Sequence, residues 1–360
     1  MVVQDGDAAP IVWIGREARY AEKLATPDTS VADLIGDVDP IRVAEGRYLG
    51  DELTIHYGLI PRTNRGVVAV NELPDLPERI QVALFNILEE RDVQIRGYRI
   101  RLPLDLLLVA TANPDDYTHR GRIVSPLKDR FGTQVRTHYP ETLADEIRIM
   151  DQEARPPAGA VPLRVPLYLK EVLATLTSEL RRSPHVNHRS GVSVRYSIGN
   201  LETLAAAAVR RAARVGEPEA VPRVCDLPVV LEASLGRIEF DTIEEGREGE
   251  ILLRALRTAE LEVFRTRLSG FDFHPILDRF AGGFAAETSD LMPASELLAQ
   301  FGELPGLAKL LQRLGVEEES PGAAASAVEF ALEGLHLSRR LNKDLSGRLG
   351  SFRYEGPPTS

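Results

Sequence analysis

Val67–Leu76 reads VVAVNELPDL: small, mostly β-branched residues run straight into an amide, a carboxylate and a Leu-Pro-Asp turn. A short, all-apolar run of this kind is the pattern of a parallel strand covered on both faces. Sheets of that type bind ligands beyond the carboxyl ends of their strands, which is where Asn71 and Glu72 fall. Working outward, Leu106–Thr111 repeats the apolar pattern, and ERIQVALFNILEER lies between the two runs. Its Ile80, Leu84, Ile87 and Leu88 are spaced for one face of an amphipathic helix. Ile11–Ile14 and Thr133–His138 read as further strands. Strands alternating with a helix predict an α/β layer fold over residues 1–140.

Two inserts interrupt that layer. Residues 42–60 alternate around Gly50-Asp51, and Val93–Leu102 alternates around Gly97, so both read as hairpins. A Pro-rich connector, Ala154–Pro166, follows the core. Helices are expected over Leu167–Arg182, Val194–Arg214, Glu244–Leu268 and Ala327–Leu341, with SPGAAASA (Ser320–Ala327) as a break. Gly216 is placed to cap the second of them. The organisation expected is a core over 1–140, a helical lid over 141–240 and a C-terminal helical region over 241–360.

Composition narrows the classes. The 360 residues carry a net charge of −11, which speaks against general nucleic-acid binding through phosphate neutralisation. The single cysteine, Cys225, excludes an internal disulfide framework and fits a reducing compartment. No secretory signal pattern opens the chain and no apolar run is long enough for a membrane span, so the cytoplasm is expected and a membrane partner is not. His185 and His188 have metal-ligand spacing, but no third ligand stands near them, and a solvated loop is the preferred reading.

Four elements carry chemistry, in this order: Asn71-Glu72 at one strand end, Asn113-Pro114 at the next (LLLVATANPDD), PLKDRFG with Arg130, and GVSVRYSI with Arg195 at a helix start. A glutamate at a strand's carboxyl end can orient an attacking water, and a neighbouring amide can hold that water or a γ-phosphate. An arginine from an adjacent subunit can neutralise charge that develops in phosphoryl transfer, and a lid arginine can sense the phosphate. Singly each signal is weak. Their order within an α/β pattern is the stronger argument.

That order, with DLIGDVDP, IPRTNRGVVAVNELPDL and QVALFNILEERDVQIRG, resembles the AAA+ ATPases of the MoxR and magnesium-chelatase ATPase-subunit group over residues 30–240. The resemblance implies an AAA+ parallel sheet core, a helical lid, and a homo-oligomeric ring, a hexamer in that group. It implies ATP and Mg²⁺ as cofactors, with Asn71, Glu72, Asn113 and Arg195 at the nucleotide. Asn71 and Glu72 would lie on the metal side. In roles, Glu72 would be the Walker B glutamate, Asn113 sensor 1, Arg130 the arginine finger and Arg195 sensor 2. Arg120 and Arg122 are further basic candidates. The group's partners include proteins with a von Willebrand factor A domain. A magnesium-chelatase-type subunit and a non-hydrolytic scaffold subunit are the alternatives. A σ54-type activator would need a GAFTGA-like loop, and none is present in the sequence.

Two departures from the group matter. Asn71 stands where it carries an aspartate, which predicts weaker metal retention. No GxxxxGK[ST] occurs anywhere, and none of the five lysines follows a glycine. This chain alone is therefore not expected to hydrolyse ATP. The expectation is an additional strand, phosphate loop and helix upstream, at least about 30 residues as one such unit requires. Without that strand, the Leu106 strand should keep an unpaired edge and the Thr133 strand should lack a partner.

Overall fold

The computed structural model describes the chain except residues 1–4, 40, 42–43, 46–53, 92, 96–97, 101–102, 114–121, 158–160, 188–189, 242–245, 303–305, 317–319, 346–350 and 357–360. Two compact units form, Met1–Arg136 and Thr137–Ser360.

The first unit is an α/β layer. Its sheet has the order β1 (Tyr20–Leu24), β4 (Val67–Asn71), β7 (Leu107–Ala110), and both pairings are parallel. Between β4 and β7 the chain crosses over through α1 (Glu78–Glu89), whose Ile80, Leu84 and Ile87 are buried. They pack with Val68 and Val70, the β4 side chains on the same sheet face. β2 (Gly36–Val38) pairs antiparallel with β3 (Ile55–Tyr57), and β5 (Val93–Ile95) with β6 (Tyr98–Ile100).

Several sequence expectations change here. The opening strand is Tyr20–Leu24, and Ile11–Ile14 is extended chain outside the sheet, with Trp13 89 % exposed. β3 finds its partner in Gly36–Val38, upstream of the hairpin window, while Gly50-Asp51 lies outside the described residues. The β5–β6 hairpin forms as its alternation predicts, with its Gly97 turn outside the described residues. Residues 133–138 form no strand, and Val135 is 83 % exposed. A strand exists through its ladder, and among the described residues β7 has β4 on one side and no neighbour on the other. Nor is the sheet covered on both faces. Leu24, Leu107 and Val109 are 57 %, 60 % and 44 % exposed, on the face opposite α1.

The second unit is helical around one continuous core. That core takes residues from α2 (Leu143–Glu153), α3 (Leu167–Arg182), α4 (Val194–Val215), α5 (Glu248–Arg267) and α6 (Pro321–Leu337). Its buried members extend from Ile147 to Tyr354, so hydrophobic packing runs unbroken across the boundary expected at 240. α4 ends at Gly216 in the left-handed conformation, the cap its sequence predicts. SPGAAASA is a helix start instead of a break. Ser320 accepts a hydrogen bond from the Ala323 N–H at 3.0 Å, and Pro321 occupies the first turn, where its missing N–H costs nothing. Three strands, β8 (Ala286–Ser289), β9 (Asn342–Leu345) and β10 (Ser351–Glu355), form an antiparallel sheet in the order β8-β10-β9.

Buried ion pairs stitch this unit together. Arg223 donates to Glu329 at 3.1 Å and to the Met292 carbonyl at 2.7 Å, and its side chain is fully buried. Arg181 forks onto Glu146 at 2.8 and 3.0 Å. The geometry is bidentate, which suits a planar guanidinium.

Candidate functional site

The first unit places polar residues at the carboxyl ends of β4 and β7, beside the middle of β1. β4 delivers Asn71, and the backbone then turns left-handed at Glu72, with φ 56° and ψ 48°. A non-glycine residue held there costs about 1–2 kcal/mol, so the turn is maintained by its surroundings. Two contacts do this: the Glu72 N–H donates to the Thr111 hydroxyl at 3.1 Å, and the Leu73 N–H donates to the Thr111 carbonyl at 2.9 Å. Thr111 follows β7, so the two strand ends are tied by one residue. Asn113, two residues on, is exposed.

Asn71 is engaged from both sides. Its amide donates to Glu22 Oε1 at 2.5 Å, and its carbonyl oxygen accepts from the Thr111 hydroxyl at 3.3 Å. Glu22 lies on β1 and also accepts from the Tyr20 hydroxyl at 2.9 Å. That hydrogen bond holds the Tyr20 hydroxyl above its ordinary pKa. The strand end thus carries a Glu22–Asn71–Thr111 chain with Glu72 beside it. An aspartate at 71 would set a second carboxylate against Glu22. An amide there donates instead, which is a local physical reason for the asparagine.

The other candidates sit elsewhere. Arg130 follows the short helix Ser125–Lys128 and donates to the Glu89 carboxylate at 2.7 Å and to the Pro126 carbonyl at 2.8 Å. Its guanidinium lies over the Phe85 ring, 4.8 Å from the centroid. Arg122 is exposed, and its carbonyl accepts from the buried Gln81 side chain at 3.0 Å. Arg120 lies outside the described residues, as does His188. Gln81 also accepts from the Val124 N–H at 2.9 Å, which pins residues 122–124 to α1.

In the second unit Arg195 is exposed on the first turn of α4, where Ser193 accepts from its backbone N–H at 3.2 Å. With Ser193, Glu202 and Arg237 it lines a cavity of about 470 Å³. Two arginines beside the N-terminus of a 22-residue helix make an anion-favouring end. No group of three or more His, Cys, Asp or Glu side chains suited to a metal ion occurs among the described residues. Among the same residues, no helix is long and apolar enough to cross a membrane.

Sequence reasoning missed Glu22, Thr111 and Gln81. Glu22 sits in YAEKL, whose alternation of polar and apolar residues is weaker than the apolar IVWI upstream. Thr111 was legible as the last residue of the second apolar run. Its tie to Glu72 depends on parallel register, which one strand's pattern does not encode.

Comparison with known proteins gives a family match over part of the chain. Residues 43–127 match the model of the Sigma-54 interaction domain, a domain of the AAA+ family. The chain is 31 % identical over 104 residues to a Sigma54-dependent transcriptional regulator, SfnR, of Pseudomonas fluorescens (strain Pf0-1). That similarity covers 24 % of this chain and 28 % of the regulator, so the chain spans under a third of that relative's length. Among solved structures, NtrX from Brucella abortus is similar at 14 % identity over 80 % of this chain and 58 % of that one, with a TM-score of 0.39. NtrX in complex with ADP gives 14 %, 82 %, 58 % and 0.35 in the same order. A candidate ATPase of Cytophaga hutchinsonii shares 17 % identity over 66 % of this chain and 76 % of that one, with a TM-score of 0.29. The matched family model covers the segment that contains Asn71, Glu72 and Asn113. Its branch is the one that the missing GAFTGA-like loop spoke against.

Proposed function

We propose that this chain is an AAA+-type ring subunit that uses ATP to remodel or assemble a partner protein, in the manner of the MoxR and chelatase group. The observation that carries this reading is Glu72, held in a left-handed turn at the end of a parallel strand and tied through Thr111 to the strand that leads to Asn113. In this reading Glu72 orients the attacking water and Asn113 fixes it or the γ-phosphate. Arg130 acts on the neighbouring subunit's nucleotide, so its release from Glu89 accompanies ring assembly. Arg195, with Arg237 beside it, meets phosphate from the lid. Glu72 and Asn71 would be the residues on the side of Mg²⁺, which is held mainly by nucleotide phosphates in sites of this kind. When bound, it would neutralise phosphate charge. A von Willebrand factor A domain protein is the partner class this reading favours.

A second reading is a non-hydrolytic scaffold subunit. Two observations favour it: the 360 residues contain no GxxxxGK[ST], and Asn71 is committed to Glu22. Glu72→Gln in the native assembly separates the two. The catalytic reading expects ATP turnover to fall about 10²–10⁴-fold with binding kept, the usual span for one acid–base group. The scaffold reading expects no change in turnover and an unchanged ring.

A further inference from the structure

A cavity of about 440 Å³ in the second unit lies between α5, α6 and the β8-β10-β9 sheet, away from Arg195. Three glutamates line it, and all are buried: Glu260, Glu329 and Glu333. Two have cations. Glu329 accepts from Arg223 at 3.1 Å, while Glu333 accepts from Lys343 at 2.5 Å and from the Tyr354 hydroxyl at 2.6 Å. The Lys343 ammonium also stands 4.1 Å from the Phe352 ring centroid and 5.5 Å from that of Tyr354. The cavity therefore already seats one ammonium between a carboxylate and two aromatic rings, a known mode of cation recognition.

Glu260 is the exception. It is 4 % exposed, and Lys343 and Arg257 act on its carboxylate from beyond ion-pair distance. Thr288, 1 % exposed on the facing strand, lines the same cavity with a hydroxyl that has no hydrogen-bond partner. A buried carboxylate and a buried hydroxyl without close partners are each costly, and they cost least when a ligand completes them. Leu227, Leu253 and Leu256 supply an apolar wall for a methylene stem. The volume falls within the range of small-ligand sites, roughly 300–1,000 Å³.

We infer that this cavity binds a primary ammonium on a short alkyl stem, with Glu260 as its counter-ion and the Thr288 hydroxyl as a second acceptor. The charged and titratable groups around Glu260 are Glu329, Glu333, His336, Tyr354 and Cys225 from the facing elements, Lys343 and Asp344 from β9, and Arg257 on its own helix. Burial, and then the Glu333 charge, hold the Glu260 carboxyl well above the usual carboxylate range. A cation that binds there competes with the proton.

The test is calorimetric titration of the full chain with 1,4-diaminobutane and, separately, with acetyl-lysine amide, across a range of pH. Saturable binding that strengthens as pH rises is expected. Glu260→Gln should weaken it at least about tenfold, or about 1.4 kcal/mol, and Thr288→Val should weaken it less. Thermal unfolding of Glu260→Gln should stay at or above that of the parent, so that lost binding is not lost folding. Binding of the diamine supports a free small-molecule amine as the source, and binding of the lysine derivative alone supports a partner's side chain. No binding of either probe at millimolar concentration, or binding undiminished in Glu260→Gln, overturns the inference.

Discussion

Two polar clusters in this molecule use the same kinds of side chain in opposite settings. At the strand ends of the first unit, Glu22, Asn71 and Thr111 form an exposed or half-buried chain beside Glu72. In the second unit, Arg223 pairs with Glu329 and Lys343 with Glu333, and both carboxylates are buried. Water competes freely for the first set and reaches the second only where Glu329, Glu333 and Lys343 border a cavity. A lost partner at the strand end is replaced by solvent, whereas a lost partner in the core leaves a stranded charge. The first cluster can therefore be altered with small effects on stability, which suits a reactive site. The second is part of what holds its unit folded.

The largest contrast should come from breaking the buried pair. Arg223→Ala strands the Glu329 carboxylate, 1 % exposed, and should cost about 3–5 kcal/mol of unfolding free energy, read from the denaturant midpoint. A loss under 1 kcal/mol would mean that solvent reaches the pair freely. Packing around it should be nearly as intolerant. A Cβ at Gly334 would lie 1.9 Å from the Phe264 ring, so Gly334→Ala should destabilise by about 1–3 kcal/mol in the same assay.

Titration sharpens the comparison. Glu260 has a folded-state pKa raised well above its unfolded value, so the folded chain holds that proton more tightly. Its contribution to stability is full below the ordinary glutamate range and is lost as pH rises through the raised value. Asp226, also raised by burial, adds in the same direction. Stability measured against pH should fall on the alkaline side, and Glu260→Gln should flatten that fall. A variant curve parallel to the parent's would remove Glu260 as the cause.

The smallest effect belongs to the strand end. Asn71→Asp sets like charges at the present 2.5 Å contact with Glu22. Above the carboxylate range the variant should lose only about 0.2–1 kcal/mol, the scale of exposed charge pairs, and it should recover in acid. A loss as large as that of Arg223→Ala would show the strand end to be structural.

How much of this was legible in the sequence follows the same division. Periodicity marked Leu167–Arg182 without error because seven of its residues join one core. It also marked β4, β7 and α1, and so the carboxyl end where Glu72 stands. It failed where an element depends on a distant partner. Ile11–Ile14 is the most apolar stretch of the N-terminal region yet stays outside the sheet, while the half-polar Tyr20–Leu24 pairs with β4. The Ala- and Gly-rich start of α6 reads as a break because small residues carry little periodic signal, although they are buried all round. Glu22 became visible only through parallel register. Glu260 became visible only because α5, α6 and a sheet close around it.

The most direct test of the functional account is ATP turnover by the native assembly purified from its own cells, parent against Glu72→Gln. The account predicts a fall of about 10²–10⁴-fold with nucleotide binding and ring assembly retained. Turnover unchanged by the substitution would contradict it, because the strained turn at Glu72 would then serve only the shape of the strand end.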